Sequence, residues 1–167
     1  VGALRVLVNC AGIGVAKRMV GRDGPMPLHE FAHVINVNLI GSFNMMRLAC
    51  AAMIKADPLG EERGVIISTA SVAGMEGQIG QTAYAASKGG IIALTLPAAR
   101  ELAQFGVRVL AIAPGLFKTP LLSVLPQEAQ DSLAASIPNP RRLGSATEFA
   151  ALAMHMVENA YLNGEVV

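Results

Sequence analysis

The sequence predicts an α/β fold built on a parallel sheet. Three observations carry this prediction: short β-branched runs alternate with helical patterns longer than ten residues, the run Val65-Ile66-Ile67 is apolar throughout, as in a strand buried on both faces, and Gly or Pro clusters punctuate the ends of the runs. Parallel neighbours need a long connection, and helices of this length supply it as right-handed βαβ crossovers.

The elements follow in order. Leu4-Arg5-Val6-Leu7-Val8 is stopped by Asn9-Cys10-Ala11-Gly12, which predicts a strand with a sharp exit loop. After the Gly- and Pro-punctuated stretch 21–27, the residues Phe31, Val34, Ile35, Leu39 and Phe43 recur at helical spacing, so one long helix is expected over 28–57, ended by Pro58. Val65-Ile66-Ile67 follows a charged turn and predicts a second strand ending near Ser71. Small residues fill 71–81, and a helix is expected from Thr82 to about Phe105, kinked or broken at Pro97, which has no N–H for the carbonyl of Ala93. Val107 to Ala113 predicts a third strand, ended by Pro114-Gly115, with a short helix over 128–135 beyond it. A last helix over 146–158 opens on Ser145 or Thr147 as cap, with Glu148 in its first turn, and Gly164 to Val167 begins a fourth strand. Neither a repeat nor a linker interrupts the chain, so a single domain is expected.

Composition excludes several classes. Hydrophobic residues make up 53% of the chain and charged residues 15%, the opposite of a disordered segment. The 13 Lys and Arg nearly balance the 12 Asp and Glu, without a basic stripe, so no nucleic-acid partner is expected. Every apolar stretch is interrupted before the roughly 18 residues of a membrane span, as where Arg47 and Lys55 flank 48–54, so no membrane partner is expected either. Cys10 and Cys50 have no paired spacing and no signal-peptide pattern opens the chain, which predicts a reducing, cytoplasmic compartment. His29, His33 and His155 fall on predicted helices without metal-ligand spacing, so no metal site is expected.

In parallel sheets ligands bind beyond the carboxyl ends of the strands, which here means the loops 9–12, 71–81 and 114–119. Tyr84 and Lys88 lie four residues apart on a predicted helix and therefore share a face. A free phenol titrates near 10, so service as a base near neutrality asks for about 4 kcal/mol of phenolate stabilisation, roughly what one ammonium 4 Å away supplies at an effective dielectric near 20. Ser71, at the end of the preceding strand, is placed to hydrogen-bond the same substrate oxygen. Among two Tyr, four Lys and eight Ser, the joint spacing of Ser71, Tyr84 and Lys88 arises by chance with a probability of about 0.002.

Together with Asn9-Cys10-Ala11-Gly12, Asn38 in Val37-Asn38-Leu39, and Pro114-Gly115 with Thr119, these three residues resemble the ordered motifs of the short-chain dehydrogenase/reductase family, from about Leu4 to the last residue. Stretches such as Glu76-Gly77-Gln78, Ser87-Lys88-Gly89-Gly90 and Leu162 to Val166 are similar to the branch of that family acting on 3-hydroxyacyl-CoA. The resemblance implies an oxidoreductase that moves a hydride between a nicotinamide and a 3-hydroxyacyl-CoA or similar secondary alcohol. It implies Tyr84 as acid/base, Ser71 as the group orienting the reacting oxygen, Lys88 as support for Tyr84 and contact to the nicotinamide ribose, and Asn38 as holder of a relay water. Cys10, Ala11 and Gly12 would approach the adenosine side through backbone, and Pro114, Gly115, Phe117 and Thr119 the nicotinamide end. Gln78 would reach the substrate carbonyl. Bland readings stand beside these: Asn9 as a cofactor contact or a tie between loop and strand, Asn38 as donor to a neighbouring carbonyl, and Arg141-Arg142 as a CoA phosphate contact or a solvated pair.

A fold of this family opens with a glycine-rich phosphate loop between a strand and a helix. Gly12-Ile13-Gly14 follows a strand but has neither a helix start nor a third glycine at the required spacing. The expectation is therefore the C-terminal part of a Rossmann-like doubly wound parallel sheet, one partial domain over residues 1–167, with the N-terminal dinucleotide-binding half absent and the chain an internal fragment of the full enzyme. NAD is the implied cofactor, with NADP left open. A small-molecule acyl-CoA or alcohol and a second copy of the chain, met through the helices around Asn38 and Tyr84, are the implied partners. The alternatives are a non-catalytic truncated fragment or interaction subunit, or a reductase for another alcohol, steroid or acyl-carrier substrate.

Overall fold

The computed structural model describes residues 2–120, 122–123 and 125–167. In chain order they form β1 (Val6–Asn9), a two-residue antiparallel hairpin of β2 (Val20–Gly21) and β3 (Gly24–Pro25), α1 (Leu28–Ile35), a π-helical turn (Asn36–Ile40), α2 (Gly41–Met53), β4 (Gly64–Thr69), α3 (Thr82–Leu102), β5 (Val107–Ile112), α4 (Gln127–Ser136) and α5 (Ala146–Glu158).

β1, β4 and β5 form a parallel sheet in that spatial order. Asn9 stands opposite Ser68 and Thr69 opposite Ile112, so the carboxyl ends of the three strands are level. The last residues continue the sheet: Val166 bridges Ala111 in parallel, with the Ala111 amide donating to Glu165 and the Val167 amide to Ala111. Leu4, Val6 and Val8 are exposed along β1, the outer strand among the described residues.

Successive strand residues face opposite sides, and both sides of β4 and β5 are covered, which is why their runs are almost wholly apolar. Ile66, Val107 and Val109 pack under Met46, Cys50 and Met53 of α2 and Ala99 of α3. Val65, Ile67, Leu110 and Ile112 pack against Ala153 and Met156 of α5. Within β5, Arg108 is only 5% exposed. Its guanidinium pairs with Glu62 at 2.6 Å and donates to the carbonyls of Met156 (2.8 Å), Val157 (2.9 Å) and Leu162 (2.9 Å), which ties the end of α5 to the sheet.

Three expectations need correction. The helix expected over 28–57 is divided by the π turn and its last α-helical residue is Met53. Of the kink or break expected at Pro97, the break is absent: α3 runs through it, and Ala93 and Pro97 both lie on the exposed side. The β2–β3 hairpin falls between the first strand and the first helix, where the sequence predicts no strand. No helix among the described residues is long and apolar enough to cross a membrane.

Candidate active site

The loops after β1 and β4 close on the first half of α3, and the loop after β5 joins the loop after β4. Ser71 caps a 3₁₀ turn over Val72–Gly74, its Oγ accepting from the Ala73 amide at 3.1 Å, which leaves the hydroxyl proton free to donate. The next amide, of Val72, donates to the Pro114 carbonyl at 3.2 Å and joins the loop after β4 to the loop after β5. Glycines set how closely the first of these loops lies on the helix. A Cβ on Gly74 would stand 2.9 Å from the backbone of Lys88 and Gly89, and one on Gly77 2.9 Å from the Ala85 Cβ.

On α3, Tyr84 and Lys88 share a face as their spacing predicts. The Lys88 ammonium donates to the carbonyl of Thr69, the last residue of β4, at 2.6 Å and lies 5.8 Å from the centre of the Tyr84 ring. Lys88 is 5% exposed, and burial pushes its pKa below the ordinary lysine value, with Cys10 acting in the opposite direction. Tyr84 is half-buried.

Asn38 sits fully buried in the π turn, and its amide is spent internally. Its Oδ1 accepts from the Ile13 amide at 2.8 Å, while Nδ2 donates to the Ile13 carbonyl at 2.9 Å and to Ser87 Oγ at 3.0 Å. The side chain thus braces the loop after β1, as the bland reading had it, and both amide hydrogens are engaged. Asn9 Nδ2 donates to Ser68 Oγ at 3.2 Å and to the Ser42 carbonyl at 3.4 Å, joining the end of β1 to β4 and α2. Cys10, Ala11 and Gly12 are exposed, and a Cβ on Gly12 would come within 3.3 Å of Asn38 Oδ1 and 3.6 Å of Lys88 Nζ.

The loop after β5 divides. Gly115 faces open space, with nothing within 4 Å of an added Cβ. The Phe117 ring instead lies on Gly144, whose added Cβ would be 2.7 Å from it, and meets Phe149 edge-on at 6.3 Å. Its side chain therefore belongs to the packing beside α5. The Thr119 carbonyl closes a turn, accepting from the amides of Leu122 and Ser123 at 3.0 Å. Gln78 is exposed, and its amide donates to Gln81 Oε1 at 3.0 Å. His29, His33 and His155 are exposed, and no group of potential metal ligands occurs among the described residues. Sequence reading passed over Ser87 and the Thr69 carbonyl. A buried hydroxyl in mid-helix was the available signal for the first; a backbone acceptor has no signature in sequence.

A family model described as short chain dehydrogenase matches residues 1–130. Two relatives named 3-hydroxyacyl-CoA dehydrogenase type-2, from Bos taurus and Homo sapiens, are 53% and 51% identical over 169 residues, covering 99% of this chain and 65% of theirs. A 3-oxoacyl-[acyl-carrier-protein] reductase from Thermotoga maritima is 38% identical over 168 residues, covering 99% of this chain and 64% of that protein. The crystal structure of a 3-hydroxyacyl-CoA dehydrogenase type-2 from Mycobacterium avium superposes with a TM-score of 0.94 at 48% identity, covering 99% of this chain and 66% of that one. The chain spans 65% of the length of the first two relatives.

Proposed function

Because the chain belongs to the short-chain dehydrogenase family, we propose that it serves an oxidoreductase passing a hydride between a nicotinamide cofactor, NAD in the first instance, and a 3-hydroxyacyl-CoA or similarly shaped secondary alcohol. The observation that carries this reading is the seat of Lys88: a nearly buried ammonium anchored on the carboxyl end of β4 and held beside the Tyr84 ring. When bound, the nicotinamide supplies the hydride acceptor. The Tyr84 phenolate takes the hydroxyl proton of the alcohol as the carbonyl forms and returns it in the reverse direction. Ser71, whose Oγ already accepts from Ala73, donates its own proton to the reacting oxygen and fixes its direction. Lys88 stabilises the phenolate by its charge.

The residues fit the nicotinamide-ribose end of such a cofactor. Lys88 spends one ammonium hydrogen on Thr69, leaving two donors for a vicinal diol, and Gly12 and Gly115 keep the flanking backbone approachable. A pyrophosphate cradle is not found among the described residues, since no helix follows Gly12-Ile13-Gly14 before Leu28. A second copy is the proposed macromolecular partner, received on the apolar groove of about 470 Å³ that Leu39, Ile40 and Phe43 form with Gly90, Ala93 and Leu94.

The test is the nicotinamide absorbance change with acetoacetyl-CoA, in this chain and in its Tyr84→Phe variant. Turnover is expected to fall by roughly 10²–10⁴-fold in the variant while cofactor affinity stays near wild type. A variant within a few-fold of wild type contradicts the acid/base role of Tyr84.

A further inference from the structure

We propose that Ser87 is a positioning residue, whose buried hydroxyl joins the loop after β1 to the helical turn that carries Tyr84 and Lys88. The proposal rests on the assignment of those two side chains to the proton-transfer site.

Ser87 is fully buried in the interior of α3. A hydroxyl there is an odd choice on local grounds, because Ala is the better helix former and a hydroxyl out of water is costly unless bonded. Here it is bonded on both sides. It donates to the carbonyl of Tyr84 at 2.7 Å and accepts from Asn38 Nδ2 at 3.0 Å. Asn38 in turn grips both the amide and the carbonyl of Ile13. A continuous chain of hydrogen bonds therefore runs from the Ile13 backbone through Asn38 and Ser87 to the Tyr84 carbonyl, joining segments 25 and 49 residues apart.

The bond to Tyr84 matters for placement. In an α-helix the carbonyl of residue 84 also receives the amide of residue 88, so this acceptor lies within the turn that fixes Tyr84 and Lys88 relative to each other. Gly12, whose added Cβ would approach both Asn38 Oδ1 and Lys88 Nζ, shows that the braced loop lies against the same ammonium. Without the Ser87 hydroxyl, one Asn38 hydrogen is left buried without a partner and the turn loses its tie to the loop.

Ser87→Ala removes the joint and Ser87→Thr keeps the hydroxyl. With acetoacetyl-CoA and reduced nicotinamide, Ser87→Ala is expected to lower kcat about tenfold or more with KM within about twofold, and to move the pH profile of kcat, while Ser87→Thr recovers most of the rate. An equal loss in both variants, or a loss in Ser87→Ala matched by its unfolded fraction in circular dichroism, overturns the proposal. A reading free of turnover uses the ring resonances of ¹³C-labelled tyrosine. Tyr84 should shift in Ser87→Ala while Tyr161, 98% exposed, stays put as the internal reference. Unchanged Tyr84 resonances overturn the positioning role even where activity is lost, whereas a Tyr84 shift in a chain without any hydride transfer leaves the positioning intact and counts against the oxidoreductase.

Discussion

Glu148 closes two interactions at the start of α5. Its carboxylate pairs with Arg142 at 2.6 Å and accepts from the Ser145 amide at 2.7 Å, while Ser145 Oγ accepts from the Glu148 amide in return. The Arg142 hydrogen bonds first, and the Ser145 amide second, hold the Glu148 pKa down to about 2 from an ordinary 4.5. A carboxyl lowered in this way contributes stability that is fully present above its unfolded value and disappears as the pH falls through the folded one. The wild type should therefore melt above Glu148→Gln from neutrality down to about pH 4.5, and the gap should close between there and about pH 2. Thermal melts across that range measure it, and a gap that persists unchanged contradicts the assignment. The start of this helix was readable beforehand, with Ser145 and Thr147 both open as its cap, because a cap and its partner lie within three residues. Arg108 was not: a cation inside an apolar run is visible in the sequence, but Glu62 and the α5 carbonyls that receive it are 46 or more residues away.

Among the elements, the strands and α5 follow from local pattern, since Val107–Ile112 is too short and too apolar to be anything but a buried strand, and Ser145 with Glu148 starts a helix wherever it stands. The π turn over Asn36–Ile40 does not. Its residues continue the helical periodicity of their neighbours, and the widened turn coincides with the one side chain, Asn38, that reaches across to Ile13 and Ser87. The loop 71–81 is intermediate. Its small residues announced a loop, but their purpose becomes visible only where Gly74 meets the backbone of α3. Gly74→Val should push the loop off the helix, because besides Ile92 Cδ1 the obstructing atoms, of Lys88 and Gly89, are backbone and cannot rotate away. A loss of about 1–3 kcal/mol in urea unfolding is expected, with a larger proportional loss of turnover, since Ser71 heads the displaced segment. A Gly74→Val protein with wild-type stability and turnover would show that this close approach can relax.

For the molecule entire, one surface left open is apolar. Ile40 and Phe43 are each 53% exposed beside the groove floored by Gly90 and Ala93. Burial of such side chains contributes roughly 1.5–3 kcal/mol apiece, which the second copy proposed above would supply. Phe43→Asp should convert that assembly to monomer in sedimentation velocity, leaving the far-ultraviolet dichroism unchanged; a wild-type monomer at all accessible concentrations rules out this interface.

Order of elements, their polarity and the shared face of Tyr84 and Lys88 were all settled by neighbours a few residues apart, because periodicity and capping act over one or two turns. Which polar groups are consumed within the protein and which remain for a ligand was settled by folding alone. Asn9, Asn38, Ser87 and Phe117 all read as ordinary or as ligand contacts until Ser68, Ile13, Asn38 and Gly144 came beside them, since a hydrogen bond or a ring contact depends on distance in space and none of these partners is a neighbour in the chain.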